Sequence, residues 1–405
     1  MKVLHISTYG SGGGGIAAHR LHNALLENGI ESKYLCLENP PFGKNIYSVP
    51  LFRLSPVKII LRKLGLYKTN VDKNINSIKN LKGKYEFFSF PWTEYDLSKH
   101  PLVKEADIIN LHWTSSFLDY HFFTKIKKKI VWTLHDMNPF QGGFHYYNDV
   151  VENQATFGNI ENKLLQTKKR IINQVKELEI VTLSNWMCEA SSRSEIFARR
   201  PHHLIHNNID LSIFKNYTKS FAREVFNIPQ DKIVLLFVSE IITNKRKGLD
   251  LLLEALSELN VPNICLVAIG HVFENINSKF EMICPGKISD QRAIALLYAS
   301  ADAYILSSRE DNLPNVMLES LACGTPVIST PVGGMLDVIQ SGFNGILAKE
   351  LSANGLKEAI ETFIQTKDTF DRDKIRQFAI DNFSPDIQAK KYIEVYQNML
   401  NSNDR

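Results

Sequence analysis

A polar loop between a buried strand and a short helix carries side chains that could bind a phosphorylated ligand. The apolar run Ala303 to Leu306 predicts the strand, and the pattern after it predicts a helix over Asn315 to Ala322. Between them lie Glu310, Asp311 and Asn312. The loop should therefore lie at the carboxyl end of a strand, where open α/β sheets bind ligands. Because a helix amino end favours anions and carboxylates accept bonds from hydroxyl groups, we expect a phosphorylated, hydroxyl-bearing ligand here.

A second, basic loop lies earlier in the same half of the chain. Lys245, Arg246 and Lys247 follow a predicted strand over Val234 to Val238 and precede a predicted helix over Gly248 to Leu259. Lysine and arginine at the start of a helix are suited to holding phosphate groups. Taken alone, the same residues would equally fit an exposed basic loop.

The chain opens with a predicted βαβ unit whose turn is rich in glycine. A strand over Val3 to Ser7 runs into six residues, 10–15, of which five are glycines, and a helix and a strand over Lys33 to Leu37 follow. Glycines let backbone N–H groups approach a ligand closely. The spacing also fits the G-x-G-x-x-G pattern of nicotinamide-dependent enzymes, although consecutive glycines match that pattern readily by chance.

A histidine at the end of a predicted strand is the main catalytic candidate of the first half. The strand over Ile130 to Leu134 ends in His135-Asp136, so His135 should lie on the ligand-binding edge of the sheet. We expect Asp136, Asn138 and the turn at Gly142-Gly143 to form a polar pocket around it. His112 ends another strand, but there a hydrogen-bonded loop histidine is the favoured interpretation.

Length and composition predict a two-domain α/β protein of the cytoplasm. A chain of 405 residues is long for one core, and a net charge of +4 is too small to imply nucleic-acid binding. The five cysteines contain no C-x-x-C pair, and no apolar run is long enough to span a membrane. The start shows no signal-peptide pattern. We place the first domain at 1–215, completed by a C-terminal helix at 386–405, and the second at 216–385.

Two further patterns have competing interpretations. Residues 53–84 are strongly basic with interleaved apolar positions, which fits either a solvated helical excursion or a patch that rests on an anionic membrane surface or recruits an anionic or lipid-linked acceptor. Asp371-Arg372-Asp373 is a D-x-D sequence at a predicted helix start. Because aspartates commonly cap helices, we interpret it as a cap and not as a metal site.

Several motifs occur in the order found in one known family. They are Gly12 to Gly15, Thr133 to Asp136, Ser184 to Trp186, Ile205 to Asp210, Lys247-Gly248, Leu297 to Asp302, Ser307-Ser308, Glu310 to Glu319, Ala322 to Val327, Val332 to Gly334 and Gly342 to Gly345. With these motifs the chain resembles the retaining family 4 (group 1) glycosyltransferases of the GT-B fold, and bacterial enzymes of surface-polysaccharide assembly in particular. The resemblance implies two Rossmann-like parallel-sheet domains that face each other across a cleft.

The resemblance also implies the substrates. A nucleotide sugar, with UDP or GDP as the nucleotide, would be the donor and would be held mainly by the second domain. A glycan or lipid-linked acceptor would be held mainly by the first domain. Transfer would retain the anomeric configuration and would require no metal. We expect the protein in the cytoplasm, where it could also associate peripherally with the inner face of the membrane.

The family's site residues carry over position by position. Lys247, with Arg246 as a further cation, is similar to the diphosphate-binding lysine, and Glu319 is similar to the glutamate that binds the donor ribose. His135 is similar to the histidine near the reacting centre. The remaining donor-binding positions are Gly13, Gly14, Gly15, Ile288, Asn312 and Asn315.

Two departures from the family pattern leave alternatives open. The E-x7-E spacing counted back from Glu319 reaches Asp311, so either Asp311 or its neighbour Glu310 fills the first acidic position. Ser239-Glu240 stands where many members carry an arginine, and Arg246 is the candidate replacement. A catalytically silent GT-B module that binds a partner or glycan is therefore the alternative function, followed by a nicotinamide-dependent oxidoreductase.

Overall fold

The computed structural model describes residues 1–38, 40–261, 263–271 and 280–401, and these form two compact units. The first unit contains Met1–His206 and the chain from Gln388 onward, and the second contains Asn207–Ile387. The sequence-based division at 215/216 lies further along the chain. Residues 207–215 belong to the second unit because their backbone is bonded there: Ile209 donates to Phe383 O at 3.0 Å, and the Arg376 guanidinium donates to Phe214 O at 2.7 Å.

The first unit is built on a seven-stranded sheet in the order β3-β2-β1-β4-β5-β6-β7, with every pairing parallel. Its strands are β1 (Lys2–Tyr9), β2 (Glu31–Glu38), β3 (Ile46–Ser48), β4 (Ile108–Leu111), β5 (Lys129–Leu134), β6 (Leu178–Thr182) and β7 (His202–Leu204). The central strands are buried along their length, as strands of a parallel sheet covered on both faces must be. The predicted strands at Val3, Lys33 and Ile130 are confirmed, while the short edge strands β3 and β7 were not predicted.

Helices cover both faces of this sheet. The helices of this unit are α1 (Gly12–Glu27), α2 (Pro56–Lys63), α3 (Asn70–Ile78), α4 (Pro101–Glu105), α5 (Phe122–Lys125), α6 (Tyr147–Ile172), α7 (Asn185–Ser192) and most of α15 (Pro385–Asn401). The last helix is fixed by hydrogen bonds as well as packing, since Tyr396 OH accepts from Asn110 at 2.7 Å and Tyr392 OH lies 3.0 Å from Thr133 Oγ1. Short 3₁₀ turns stand at Leu97–Lys99 and Asn138–Phe140.

The second unit repeats the plan on six parallel strands in the order β10-β9-β8-β11-β12-β13. The strands are β8 (Ile233–Ile241), β9 (Ile264–His271), β10 (Glu281–Gly286), β11 (Ala303–Leu306), β12 (Val327–Ser329) and β13 (Gly345–Leu347). The helices are α8 (Lys219–Val225), α9 (Leu249–Ser257), α10 (Gln291–Ser300), α11 (Asn315–Ala322), α12 (Met335–Val338), α13 (Ala353–Thr366) and α14 (Arg372–Phe383), with 3₁₀ turns at Lys245–Lys247 and Lys367–Thr369. The strand and helix predicted at Ala303 and Asn315 are confirmed with the same bounds.

Helices α2 and α3 differ from the other helices because neither contains a buried residue. They are joined by an ion pair between Arg62 and Asp72, whose closest atoms are 2.5 Å apart. Apolar side chains remain exposed on both helices and on the turn between them, among them Ile60 at 59% and Leu66 at 73%. The basic segment at 53–84 therefore contains two short helices, and most of its apolar side chains face solvent. In the part of the chain that the structure describes, no helix combines the length and apolarity needed to cross a bilayer.

Candidate functional site

Two loops of the second unit are tied together at the carboxyl edge of its sheet. The turn after β8 is held by Ser307 Oγ, which donates to Lys247 O at 3.1 Å, and by Arg309 N, which donates to Arg246 O at 2.7 Å. Gly248 has φ +71°, and a Cβ atom there would lie 2.0 Å from Ser307 O. Only glycine permits this approach. The basic loop and the acidic loop predicted from the sequence thus lie side by side.

The charged groups of these loops meet at Asp311. Lys247 Nζ lies 2.5 Å from Asp311 Oδ2, and the Arg246 guanidinium lies 3.7 Å from the same atom. Arg246 also donates to Glu310 O at 3.0 Å. Burial opposes ionisation of Asp311, but Lys247 and Arg246 outweigh burial, so the pKa of this carboxyl is held below its ordinary value. The Asp311 carboxylate is therefore a counter-charge that Lys247 and Arg246 share.

The structure distinguishes the two acids that compete for the first acidic position. The Asp311 carboxylate meets the basic pair, and it also accepts from its neighbour Asn312 N at 3.1 Å. Glu310 is a buried residue whose backbone carbonyl takes the bond from Arg246. The Asp311 carboxylate thus contacts both cations.

Helix α11 positions the other predicted residues of this unit. Asn315 lies at its first position, and Asn315 Oδ1 accepts from Asn207 Nδ2 at 3.0 Å. Glu319 is buried one turn further on, and Tyr298 OH donates to its Oε2 at 3.4 Å. Asn312 precedes the helix, and its carbonyl accepts from Gly334 N at 2.6 Å.

Two of the residues that contact α11 were not predicted to do so. Asn207 was expected in the first domain, because that domain was predicted to extend to residue 215. Tyr298 carries one usable signal, a hydroxyl within an otherwise apolar helix.

Ile288, another predicted donor-binding residue, follows strand β10, which is two strands away from β8 in the sheet. It is half-buried in the segment between β10 and α10. That segment follows the carboxyl end of β10, so Ile288 shares the sheet edge with the charged cluster. Strand β9 separates β10 from β8 in the sheet order, so Ile288 and the basic loop do not follow neighbouring strands.

The predicted glycines of the first unit form the start of helix α1, whereas a loop was expected. Helix α1 begins at Gly12, so Gly13, Gly14 and Gly15 belong to its first turn. A Cβ atom on Gly15 would lie 2.5 Å from Tyr9 O, and one on Gly14 would lie 3.3 Å from His135 Cγ. The absence of side chains lets the helix start directly against β1, which is why no loop is needed. Gly14 and His135, predicted separately, are therefore neighbours.

His135 is one of the residues that line a pocket in the first unit. The pocket is lined by Phe90, His112, Trp113, Thr114, Ser115, Leu118, Tyr120, Trp132, His135, Asp136, Asn138 and Pro139. Asp136 Oδ2 accepts from Trp113 Nε1 and lies 2.6 Å from both that atom and His145 Nδ1. Burial opposes ionisation of Asp136, but His145 and the other donors keep its pKa below the ordinary value. The expected polar pocket is present for Asp136 and Asn138.

The turn at Gly142-Gly143 does not line this pocket, because the backbone amides of the turn are bonded to helix α6. Glu161 accepts from Gly142 N and Gly143 N, each at 2.6 Å. Two turns along the same helix, Lys168 donates to Asn138 O at 2.6 Å and to Gln141 O at 3.1 Å. Burial lowers the pKa of Lys168 to about 7. Sequence reasoning missed both residues, since buried charges look like exposed ones in a helical pattern.

Asp371 acts as a helix cap, as predicted. Its side chain accepts from Asp373 N at 3.1 Å and Lys374 N at 3.2 Å at the start of α14. Across residues 1–38, 40–261, 263–271 and 280–401, no group of three or more His, Cys, Asp or Glu side chains is arranged to hold a metal ion.

Comparison with known proteins places this geometry in a family. Residues 218–381 match the family described as glycosyl transferases group 1. A D-inositol 3-phosphate glycosyltransferase from Streptosporangium roseum is 24% identical over 232 residues, covering 49% of this chain and 52% of that protein. The chain spans about half the length of the curated relatives it matches.

Two solved structures match almost the whole chain. Sucrose-phosphate synthase from Thermosynechococcus elongatus has a TM-score of 0.71 at 18% identity, covering 99% of this chain and 100% of that one. Anabaena HepE in complex with UDP-glucose has a TM-score of 0.64 at 16% identity, covering 98% of this chain and 100% of that one. Both likenesses extend over the two parallel-sheet units. The chain therefore has the GT-B fold, and its residues 218–381 match the group 1 glycosyltransferase family.

Proposed function

We propose that this protein transfers a sugar from a nucleotide-sugar donor to a glycan or lipid-linked acceptor, and that its second unit binds the donor. The observation that carries the proposal is the cluster of Lys247 and Arg246 around Asp311 at the ligand-binding edge of the family-matched domain. HepE, which shares the fold, binds UDP-glucose, and this supports a UDP-sugar as the first donor to test.

The cluster suits the charge that develops during sugar transfer. When the sugar–phosphate bond breaks, negative charge grows on the leaving diphosphate, and cations already in place lower the energy of that state. Lys247 donates to Asp311, and the close packing of the next residue, Gly248, against Ser307 O fixes the backbone of the loop. Little reorganisation of Lys247 is therefore needed on donor binding. Glu319, buried on α11, is suited to accept bonds from two adjacent ribose hydroxyls.

The finer features of the reaction rest on the family resemblance. We propose retention of anomeric configuration, no requirement for a metal, and a role in cell-surface polysaccharide assembly. Asp311 or Glu310 would contact the transferred sugar together with Asn312, and Asn315 and Ile288 would complete the donor site. In the first unit, His135 is assigned to the reacting sugar, and Gly13, Gly14 and Gly15 are assigned to the diphosphate.

Donor binding tests this assignment directly. Isothermal titration of the purified protein with UDP-glucose, GDP-mannose, UDP and NAD should show binding of one nucleotide sugar. Lys247→Ala and Glu319→Gln should each weaken that binding at least tenfold with the fold intact by circular dichroism. Lys245→Ala is the matched control, because this lysine is exposed and lies two positions before Lys247.

The same titration separates the alternatives. Binding of NAD alone would favour an oxidoreductase, and binding of none of the four would favour a catalytically silent module. Unchanged donor affinity in both variants would overturn the site assignment. A protein that binds a nucleotide sugar but neither hydrolyses nor transfers it over hours would also favour the silent module.

We further propose that α2 and α3 rest on an anionic membrane surface, where a lipid-linked acceptor would be found. Their exposed apolar side chains are accompanied by lysines and arginines, the combination that binds the interface of anionic bilayers. Co-sedimentation with phosphatidylglycerol vesicles should exceed that with phosphatidylcholine vesicles, and Ile60→Asp should reduce it. Leu336→Asp, an exposed apolar site of the second unit, is the control. Equal and negligible sedimentation with both lipids would contradict the proposal.

A further inference from the structure

Three histidines from neighbouring strands of the first unit form a hydrogen-bonded row. His5 lies on β1, His112 follows β4 and His135 follows β5, and these strands are adjacent in the sheet. His5 Nδ1 is 2.9 Å from His112 Nε2, and His112 Nδ1 is 3.1 Å from His135 Nε2. His112 therefore uses both ring nitrogens to join the buried His5 to the half-buried His135.

Each ring of the row is neutral at neutral pH. Burial lowers the pKa of His5 and His112 well below the ordinary value and that of His135 to about 4. A neutral imidazole carries one proton, so one nitrogen donates and the other accepts. Two protonated nitrogens facing each other would break the row.

The hydrogen bonds then couple the three tautomers. If His135 Nε2 donates to His112 Nδ1, the proton of His112 is on Nε2, where it donates to His5 Nδ1, and the proton of His5 is also on Nε2. In the opposite direction all three protons are on Nδ1. The row therefore has two states, all Nε2–H or all Nδ1–H, and both leave every ring uncharged.

We propose that His112 and His5 are positioning residues that fix the ring orientation of His135 and couple its tautomer to their own. In one state the proton of His135 is on Nε2, and in the other it is on Nδ1. This inference rests on the proposed function for the catalytic meaning of His135, but the coupling itself belongs to the protein without substrate.

The inner end of the row allows it to change state as a unit. His5 Nε2 is fully buried and has no hydrogen-bond partner among the described residues. No partner there imposes a tautomer on His5, so a change of tautomer at His135 can pass through His112 to His5.

Long-range ¹H–¹⁵N correlation of the ring nitrogens tests the coupling in the intact, substrate-free protein. Signals are assigned with His5→Gln, His112→Gln and His135→Gln. We expect His5, His112 and His135 to share one tautomer. A spectrum in which the three rings differ would overturn the proposal without any variant, and it would do so whether or not the protein binds a nucleotide sugar.

A pair of substitutions at His112 distinguishes positioning from packing. His112→Phe keeps a ring and removes both hydrogen bonds, so the tautomer of His135 should no longer follow that of His5. His112→Gln keeps a donor and an acceptor, so His135 should retain the wild-type pattern. His203→Phe, a change outside the row on β7, is the control. A wild-type His135 pattern in His112→Phe, or a pattern lost equally in both variants, would contradict the positioning role.

Discussion

Lys247 and Asp311 form an ion pair in the candidate donor site, with Nζ and Oδ2 2.5 Å apart. The contact joins the loop after β8 to the loop after β11, so it fixes a cation at the edge of the sheet before any ligand binds. Asp311 is consequently a structural partner of the lysine as well as a candidate for sugar contact. The two roles make different predictions, because only the first affects the free protein.

Asp311→Asn should destabilise the second unit at neutral pH by about 1–3 kcal/mol, since it leaves the charges of Lys247 and Arg246 without this partner. The folded-state pKa of Asp311 lies below the ordinary value of 3.8, so its stabilising effect is fully present above that value. It should disappear as the pH falls through the lower, folded-state pKa.

Thermal unfolding of the wild type and Asp311→Asn between pH 7 and pH 2.5 checks this dependence. The difference between their midpoints should be constant above about pH 5 and should shrink below the ordinary aspartate pKa. Asp368→Asn, whose carboxylate is 89% exposed, should show no such difference. A gap between wild type and Asp311→Asn that persists at the lowest pH would argue against the ion pair as its source.

Gly248→Ala should disturb the same loop through the backbone. A left-handed φ costs alanine roughly 1–2 kcal/mol, and the added Cβ would also collide with Ser307 O. Gly342→Ala shows the first effect alone, because Gly342 has φ +84° and nothing within 4 Å of its Cβ position. Gly248→Ala should therefore lower the unfolding midpoint and donor affinity more than Gly342→Ala does, and equal effects of the two would contradict the close approach.

Glu161→Gln should loosen the turn that backs the His135 pocket. The carboxylate accepts from Gly142 N, Gly143 N and, at 3.3 Å, Phe144 N, whereas an amide would direct a donor toward these donors. The expected cost is about 1–3 kcal/mol in the stability of the first unit. Hydrogen exchange of the Gly142 and Gly143 amides should accelerate, with the exposed Glu152→Gln on the same helix as control. Unchanged exchange would show that Glu161 does not hold the turn.

Lys168 should make the first unit more stable as the pH rises from 7 to 10. Burial lowers its folded-state pKa to about 7, while the ordinary pKa of lysine is 10.5, so the unfolded chain binds more protons in this interval. Lys168→Met should remove this rise in midpoint temperature. Lys163→Met, an exposed lysine of the same helix, should keep it. A rise of equal size in Lys168→Met would assign the effect to other groups.

Periodicity and glycine placement predicted most of the architecture. Buried parallel strands appear as continuous apolar runs, which is why the strand at Ala303 and the helix at Asn315 were located correctly. The three-residue strands β3 and β7 lie at the two edges of their sheet and contain no buried residue, so their apolar pattern is weak. The division at 206/207 was also beyond the sequence, because the backbone bonds from Ile209 and Phe214 to α14 join segments far apart in the chain.

The sequence by itself determined which residues are available for chemistry: two basic and two acidic side chains at predicted strand ends, glutamate on the following helix, and His135. Only the tertiary structure decided their partners. It selected Asp311 for Lys247, placed Gly14 against His135, and aligned His5 and His112 behind it. The physical reason is that periodicity reports burial along one element, whereas ion pairs and hydrogen-bonded rows depend on the register between strands that the sequence keeps apart.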